Sequence, residues 1–244
     1  MTTLTINALL PDPETVDLLT FEAELAGIIL FEKLLAQAQG SVGFIEVEHA
    51  EAISSFLSLC QPDLMDLIIG IVQDGLAVPA LVRQVKAGLP DHIAESFHKG
   101  TTSQDAIDTS LMIRLKRICE TFCARMEMIQ SELNNFSQLY GSNTLMARTR
   151  MQAALPIRSH DKLNAWASPI GTLLAKAPNF FPIQLGGPVG TRSQMGSDGA
   201  KIAEELATLL NLDNTQCAWH TDRQPVLAIA TWATQISTAL GKIG

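Results

Sequence analysis

The 244-residue chain is 47% hydrophobic, carries a formal charge of −8 and has a sequence pI near 5.1. That apolar content fills the core of one large domain or two modest ones, and an acidic chain without a run of Lys or Arg offers no electrostatic footprint for nucleic acid or an acidic membrane surface. Met1 to Leu10 has no basic residue ahead of its apolar stretch, and the best apolar window, Leu64 to Val82, is cut by Asp66, Asp74 and Pro79, so a cytoplasmic protein with neither leader nor membrane span is expected.

The first elements predicted are helices at about Glu14 to Gln37, Val47 to Leu59, Asp63 to Gln73 and Pro79 to Ala87, punctuated by Pro-Asp, Gln-Pro and Gly-Ser. Next comes the most periodic stretch, Ile107, Leu111, Leu115, Ile118, Phe122, Met126, Ile129, Leu133 and Phe136, whose steps of three and four average close to a helical turn. One helix from Asp105 to Leu139 would run roughly 50 Å, and burying its stripe calls for a long bundle. After a break at Tyr140 to Asn143, helices are expected at about His160 to Ala177, Ser197 to Leu210 and Gln224 to Ile243. No segment alternates long enough to predict a strand, so the fold class expected is all-α. It comprises a small N-terminal helical domain, 1–104, and a long-helix bundle domain, 105–244. The four cysteines make no C-x-x-C pair and are expected to be reduced and mostly buried.

Four segments carry chemistry. His98-Lys99-Gly100-Thr101-Thr102-Ser103-Gln104-Asp105 sets a glycine, three hydroxyls, an amide and a carboxylate before the long helix. Thr101 with Gln104, or Thr102 with Asp105, fits a capping box, while the unpaired N–H groups of a helix start also receive a carboxylate well. The second segment, Met146 to Pro156, holds Arg148, Thr149, Arg150 and Gln152. A guanidinium stays protonated, so Arg150 is a poor proton shuttle and a good bidentate partner for an anion. The third, Gln184-Leu185-Gly186-Gly187-Pro188-Val189-Gly190-Thr191, has neither the preceding strand nor the Gly-Lys-Ser/Thr of a nucleotide loop and reads as a turn or a close backbone approach. The fourth, Trp219-His220-Thr221-Asp222-Arg223, precedes a helix that Asp222 can cap. His49, His92 and His160 fit surface or structural roles, and no Cys/His/carboxylate cluster suggests a metal or another cofactor.

In this order the segments resemble the signatures of the fumarase/aspartase superfamily. The first is similar to its His-aromatic-Gly-x-Thr-Ser-x-Asp region, and Thr-Ser-Gln-Asp followed by Ile-Asp-Thr looks like the carboxymuconate-lactonizing branch, as do the Gln-x-Gly-Gly-x-x-Gly-Thr and Trp-His-Thr-x-Arg stretches. The resemblance implies that His98 and Arg150 are catalytic, and that Thr102, Ser103, Gln104, Arg148, Thr149, Gln152, His220 and Arg223 bind substrate. Adenylosuccinate and argininosuccinate lyases carry a histidine where this chain has Arg150, which weighs against those activities. The implied reaction is cycloisomerisation of a small polycarboxylate, a carboxymuconate, in aromatic catabolism, with no cofactor. The implied assembly is a homotetramer whose active sites gather signature regions from three subunits. Two alternatives are another lyase of the superfamily, such as adenylosuccinate lyase, and a non-catalytic helical scaffold. The superfamily's Gly-Ser-Ser-x-Met-Pro-x-Lys-x-Asn signature, which supplies a catalytic serine, has no match in these residues, so a longer active chain is expected and these 244 residues alone are expected to be inactive.

Overall fold

The computed structural model describes residues 12–244, and the Met1 to Leu10 stretch considered for a leader lies outside them. Ten helices, α1 to α10, and a two-stranded hairpin make up the described regular structure, with short 3-10 turns between them.

The helix expected at Glu14 to Gln37 is split. α1 (Pro13–Val16) ends in a 3-10 turn, and the Thr20 hydroxyl then accepts the Ala23 N–H at 3.2 Å to begin α2 (Phe21–Val42). α2 stops at Gly43, whose φ of +80° suits glycine. α3 (Val47–Leu59), α4 (Leu64–Asp74) and α5 (Val78–Gly88) follow where their punctuation places them, with Asp63 capping α4, and α6 (Asp91–Ala94) is a single turn. α7 (Ser103–Tyr140) is the long helix. α8 (Ser159–Ala175), α9 (Gly199–Leu210) and α10 (Gln224–Gly241) complete the set. Among the described residues no single helix is long and apolar enough to cross a membrane.

The all-α class holds, with one addition. Where no strand was expected, β1 (Thr144–Thr149) pairs antiparallel with β2 (Gln152–Arg158). Both strands are mostly exposed, so neither shows the apolar-in, polar-out alternation by which a half-buried strand is recognised.

The chain divides into two compact units that interleave in sequence: residues 1–116 with 180–225, and 117–179 with 226–244. This spatial division falls within α7, whereas the division at residue 104 follows the order of the sequence. The core of the first unit gathers Ile28, Phe31 and Leu35 of α2, Ile53 of α3, Leu81 of α5, Ile202 and Leu206 of α9, and Ile183 and Leu185. Helices here approach closely: a Cβ on Gly40 of α2 would stand 2.6 Å from that of Ala50 in α3, and one on Gly70 would meet Ala80 at 2.6 Å. The second unit buries Ile118 and Met126 of α7, Ile170 and Leu173 of α8, and Ile229, Trp232 and Ile236 of α10. There the Trp232 indole donates to the Leu173 carbonyl at 2.9 Å.

Two expectations need correcting. The stripe on α7 is not what its first turns bury: Asp105, Asp108, Thr109, Ser110 and Arg114 are buried there with Ala106 and Met112, while Phe136 near the other end is 52% exposed. Nor are the thiols mostly buried. All four are free, yet only Cys119 is buried, Cys60 and Cys123 are half-buried, and Cys217 is exposed on the loop after α9. Burial, helped by Cys123 and Glu120, pushes the Cys119 thiol up to about 12.

Candidate active site

The first turn of α7 is built around one carboxylate. Asp105 is fully buried and accepts five hydrogen bonds: from the Thr101 hydroxyl (3.0 Å), from the N–H groups of Thr102 (3.1 Å), Gly186 (2.8 Å) and Gly187 (2.9 Å), and from His220 Nε2 (2.8 Å). The bond to Thr102 is the returning half of a capping box, with Thr102 at the cap and Asp105 three residues on. The bonds from Gly186, Gly187 and His220 reach segments far away in the chain. Because an ionised carboxylate only accepts, the His220 ring must donate through Nε2, which fixes its tautomer.

Asp108 and Thr109 extend this face of α7. Arg223 closes a bidentate ion pair on Asp108, at 2.7 and 2.9 Å, and its guanidinium lies 5.1 Å from the centre of the Trp219 ring. Thr109 holds both ends of the Gln184 peptide, its hydroxyl donating to the carbonyl at 3.0 Å and accepting the N–H at 2.8 Å. Gln184 in turn accepts the Trp219 N–H, and the Trp219 indole donates to Ile183 O, both at 2.9 Å. Residues at i, i+3 and i+4 share one face of a helix, so Asp105, Asp108 and Thr109 together fasten the 183–187 and 219–223 segments to α7.

The glycine loop is required by this contact. A Cβ on Gly186 would stand 2.5 Å from that of Ala218 and 2.9 Å from His220 Cε1, and Gly187 has a φ of +69° with its would-be Cβ 2.8 Å from the Gly100 carbonyl. Arg192, itself at φ +57°, staples the same loop by donating to the carbonyls of Leu185 and Thr215, each at 2.8 Å.

His98 stands just upstream in the left-handed region, φ +58°, with Nδ1 2.6 Å from Glu32 Oε1 on α2. Its side chain is 16% exposed and that of Glu32 is 1% exposed. Burial acts to lower the imidazole pKa, but the charge of Glu32 and the bond to it prevail and hold it above the ordinary histidine value.

The first unit thus brings together His98, Thr102, Ser103, Gln104, His220 and Arg223, each of them expected from the sequence. Thr102, Ser103 and Gln104 are half-buried at the helix start. His220 and Arg223 are engaged on Asp105 and Asp108. Arg148, Thr149, Arg150 and Gln152 belong instead to the hairpin of the second unit, where all four are exposed. Thr149 pairs with Gln152 across a two-residue turn whose central residues, Arg150 and Met151, sit at φ +45° and +65°. Glycine or asparagine is the usual occupant of such a turn, so an arginine and a methionine hold it under strain. Arg148 lines a cleft of about 530 Å³ in the same unit with Asp161, Trp166 and Lys242.

Sequence reasoning did not reach Glu32 or Arg192. Asp105, Asp108 and Gln184 stood in the segments singled out, Asp105 as a capping partner of Thr102, but none of the three was assigned a place in the site, although two acids and a threonine at i, i+3 and i+4 interrupt a helix otherwise read as apolar. Nothing in the sequence joins Glu32 to a residue 66 positions away.

Residues 19–244 match a family model described as Lyase. The chain is 30% identical to 3-carboxy-cis,cis-muconate cycloisomerase of Pseudomonas aeruginosa over 235 residues, covering 90% of this chain and 50% of that protein. It is 25% identical to N-acetyl-S-(2-succino)cysteine lyase of Enterococcus italicus, covering 91% and 50%. Among solved structures, the β-carboxy-cis,cis-muconate cycloisomerase of Acinetobacter calcoaceticus superposes with a TM-score of 0.91 at 26% identity, covering 95% of this chain and 56% of that one. The chain spans about half the length of these relatives.

Proposed function

We propose, from the premise that the chain belongs to the lyase family of the fumarase/aspartase superfamily, that it forms part of a cytoplasmic cycloisomerase that closes 3-carboxy-cis,cis-muconate to 4-carboxymuconolactone in protocatechuate breakdown. The observation that carries the reading is the Asp105 cluster. It pins the start of a long helix against a glycine loop and His220 while leaving Thr102, Ser103 and Gln104 half-buried, which suits that helix start to receive a carboxylate. Relatives named as cycloisomerases supply the choice of reaction.

In that reaction one substrate carboxylate oxygen forms a C–O bond to a conjugated carbon, and a proton is delivered to the neighbouring carbon. The attacked C=C π bond is the one broken and its electron pair takes up the proton, so substrate and product are isomers when both are written as free acids. Negative charge develops on a second carboxylate along the way. Preorganised hydroxyls, amides and cations stabilise such charge without a metal. Thr102 and Ser103 suit that task, and Thr149, Arg150 and Gln152 join them as the hairpin's contribution. His98 supplies a further cation and Arg148 flanking charge, with His220 and Arg223 shaping the wall. We assign the intact enzyme a homotetramer in which different subunits complete each site, and expect these 244 residues to be inactive alone.

Incubating the full enzyme with 3-carboxymuconate should lower its ultraviolet absorbance without releasing fumarate. Cleavage of adenylosuccinate, with no turnover of the muconate, would instead identify a β-eliminating lyase and overturn the assignment. Replacing Arg150 with Leu should raise KM or abolish turnover. Unchanged kinetics would return Arg150 to an exposed turn residue.

A further inference from the structure

We propose that Glu32 is a positioning residue: it grips Nδ1–H of His98 so that the ring is held in one orientation and presents a protonated Nε2 to an anionic group of the substrate. The proposal rests on the reading of His98 as a substrate-contacting residue.

Four observations support it independently of that reading. The Glu32 carboxylate is almost wholly buried on α2 and its bond to His98 is short, at 2.6 Å. Its second oxygen, Oε2, is buried without a hydrogen-bond partner, so His98 is what holds the group. A buried carboxylate satisfied on one side only is a costly arrangement that demands an explanation beyond packing. His98 keeps a left-handed backbone to make the bond, a conformation that persists only where the surroundings impose it. Finally, the carboxylate can only accept, so Nδ1 carries the proton, and Nε2 has no partner among the described residues.

The groups acting on the ring are Glu32 from α2, Lys86 from α5 and Asp105 from α7. The two carboxylates favour the imidazolium and the lysine opposes it. Glu32 is the one in contact. With it ionised, Nε2–H is a charged donor placed four residues before the Thr102–Ser103 helix start, where a carboxylate gains from the unpaired N–H groups as well. Glutamine at position 32 would keep the shape and a hydrogen bond while removing the charge that retains the second ring proton.

The test uses the full enzyme labelled with nitrogen-15 in histidine, with the His98 signals assigned by their loss in His98→Asn. In the native protein the ring should be protonated at Nδ1 and titrate above the ordinary histidine value. In Glu32→Gln the midpoint should fall by about one unit, a tenfold loss of proton affinity. Binding of tricarballylate, a simple tricarboxylate probe, should weaken by about tenfold near neutral pH in the same variant. Glu32→Asp should recover part of both effects. An unchanged midpoint and tautomer in Glu32→Gln, or unchanged tricarballylate binding, would overturn the proposal. Should Glu32→Gln not fold, a native His98 midpoint at or below the ordinary value would overturn it equally. If the muconate is not turned over but tricarballylate binding depends on Glu32 as described, the reaction assigned above falls and the positioning role stands.

Discussion

At the scale of single residues, the candidate site turns on whether a buried charge has enough donors. Asp105 has five, and the net penalty of burying it is offset only while they remain. Asparagine keeps the shape but turns one oxygen into an NH2 group facing N–H donors. We expect Asp105→Asn to lose about 3 kcal/mol in urea unfolding, comparable with breaking a buried ion pair. His98 gives a second prediction, on the pH scale. Its pKa is raised in the folded state, so folding takes up a proton, and the resulting stability is complete below the ordinary value of about 6.5 and lost as pH rises through the folded value. Subtracting the unfolding free energy of His98→Asn from that of the native protein should give a difference that shrinks across that interval. A difference that grew with pH would mean that the imidazole is held neutral.

Elements tell how much was readable beforehand. Gly27 of α2 faces Ser110 of α7 so closely that a Cβ there would stand 2.3 Å from the serine Oγ, which is donating to the Glu24 carbonyl. Alanine is the better helix former by about 1 kcal/mol, but the clash outweighs that gain, so Gly27→Ala should be net destabilising by about 1–2 kcal/mol in thermal melts. The hairpin predicts the reverse. Met151 is 92% exposed and at φ +65°, so Met151→Gly should release turn strain and gain about 0.5 kcal/mol, leaving Arg150 in place. Helices were legible because Pro, Gly and Asp cap or stop them locally: Asp63 caps α4, Gly43 ends α2, and Val47–Leu59 lies where its punctuation sets it. The hairpin was not, because its pairing is set by a turn of two residues that rarely occupy such a turn, and its exposed strands need no alternation. The site was half legible. Its loops announce themselves by glycine and hydroxyl content, whereas Asp105 is legible only as a helix cap and Asp108 only as part of a signature, and neither shows which distant loop it binds until its partners are known.

For the whole molecule, α7 and the hairpin expose apolar side chains that a solitary chain gains nothing by presenting: Phe136 at 52%, Leu139 at 72%, Leu155 at 73% and Met151 at 92%. The proposed assembly of four copies would cover such surface, so the full enzyme should sediment as a tetramer at micromolar concentration. A monomer retaining muconate turnover would rule out shared active sites.

The Asp105 clamp also bears on how the chain reaches its native state. Its bonds to Gly186, Gly187 and His220 span 81, 82 and 115 residues. Closing loops of that length is entropically unrewarded until the final contacts form, so helices should appear early in refolding and the clamp late. Trp219 is buried beside the clamp and would report its closure, its emission settling after far-ultraviolet ellipticity has already recovered. Until that moment Asp105 is an ordinary solvated acid. The proposed binding surface is therefore absent from every partly folded form and arises only with completion of the fold.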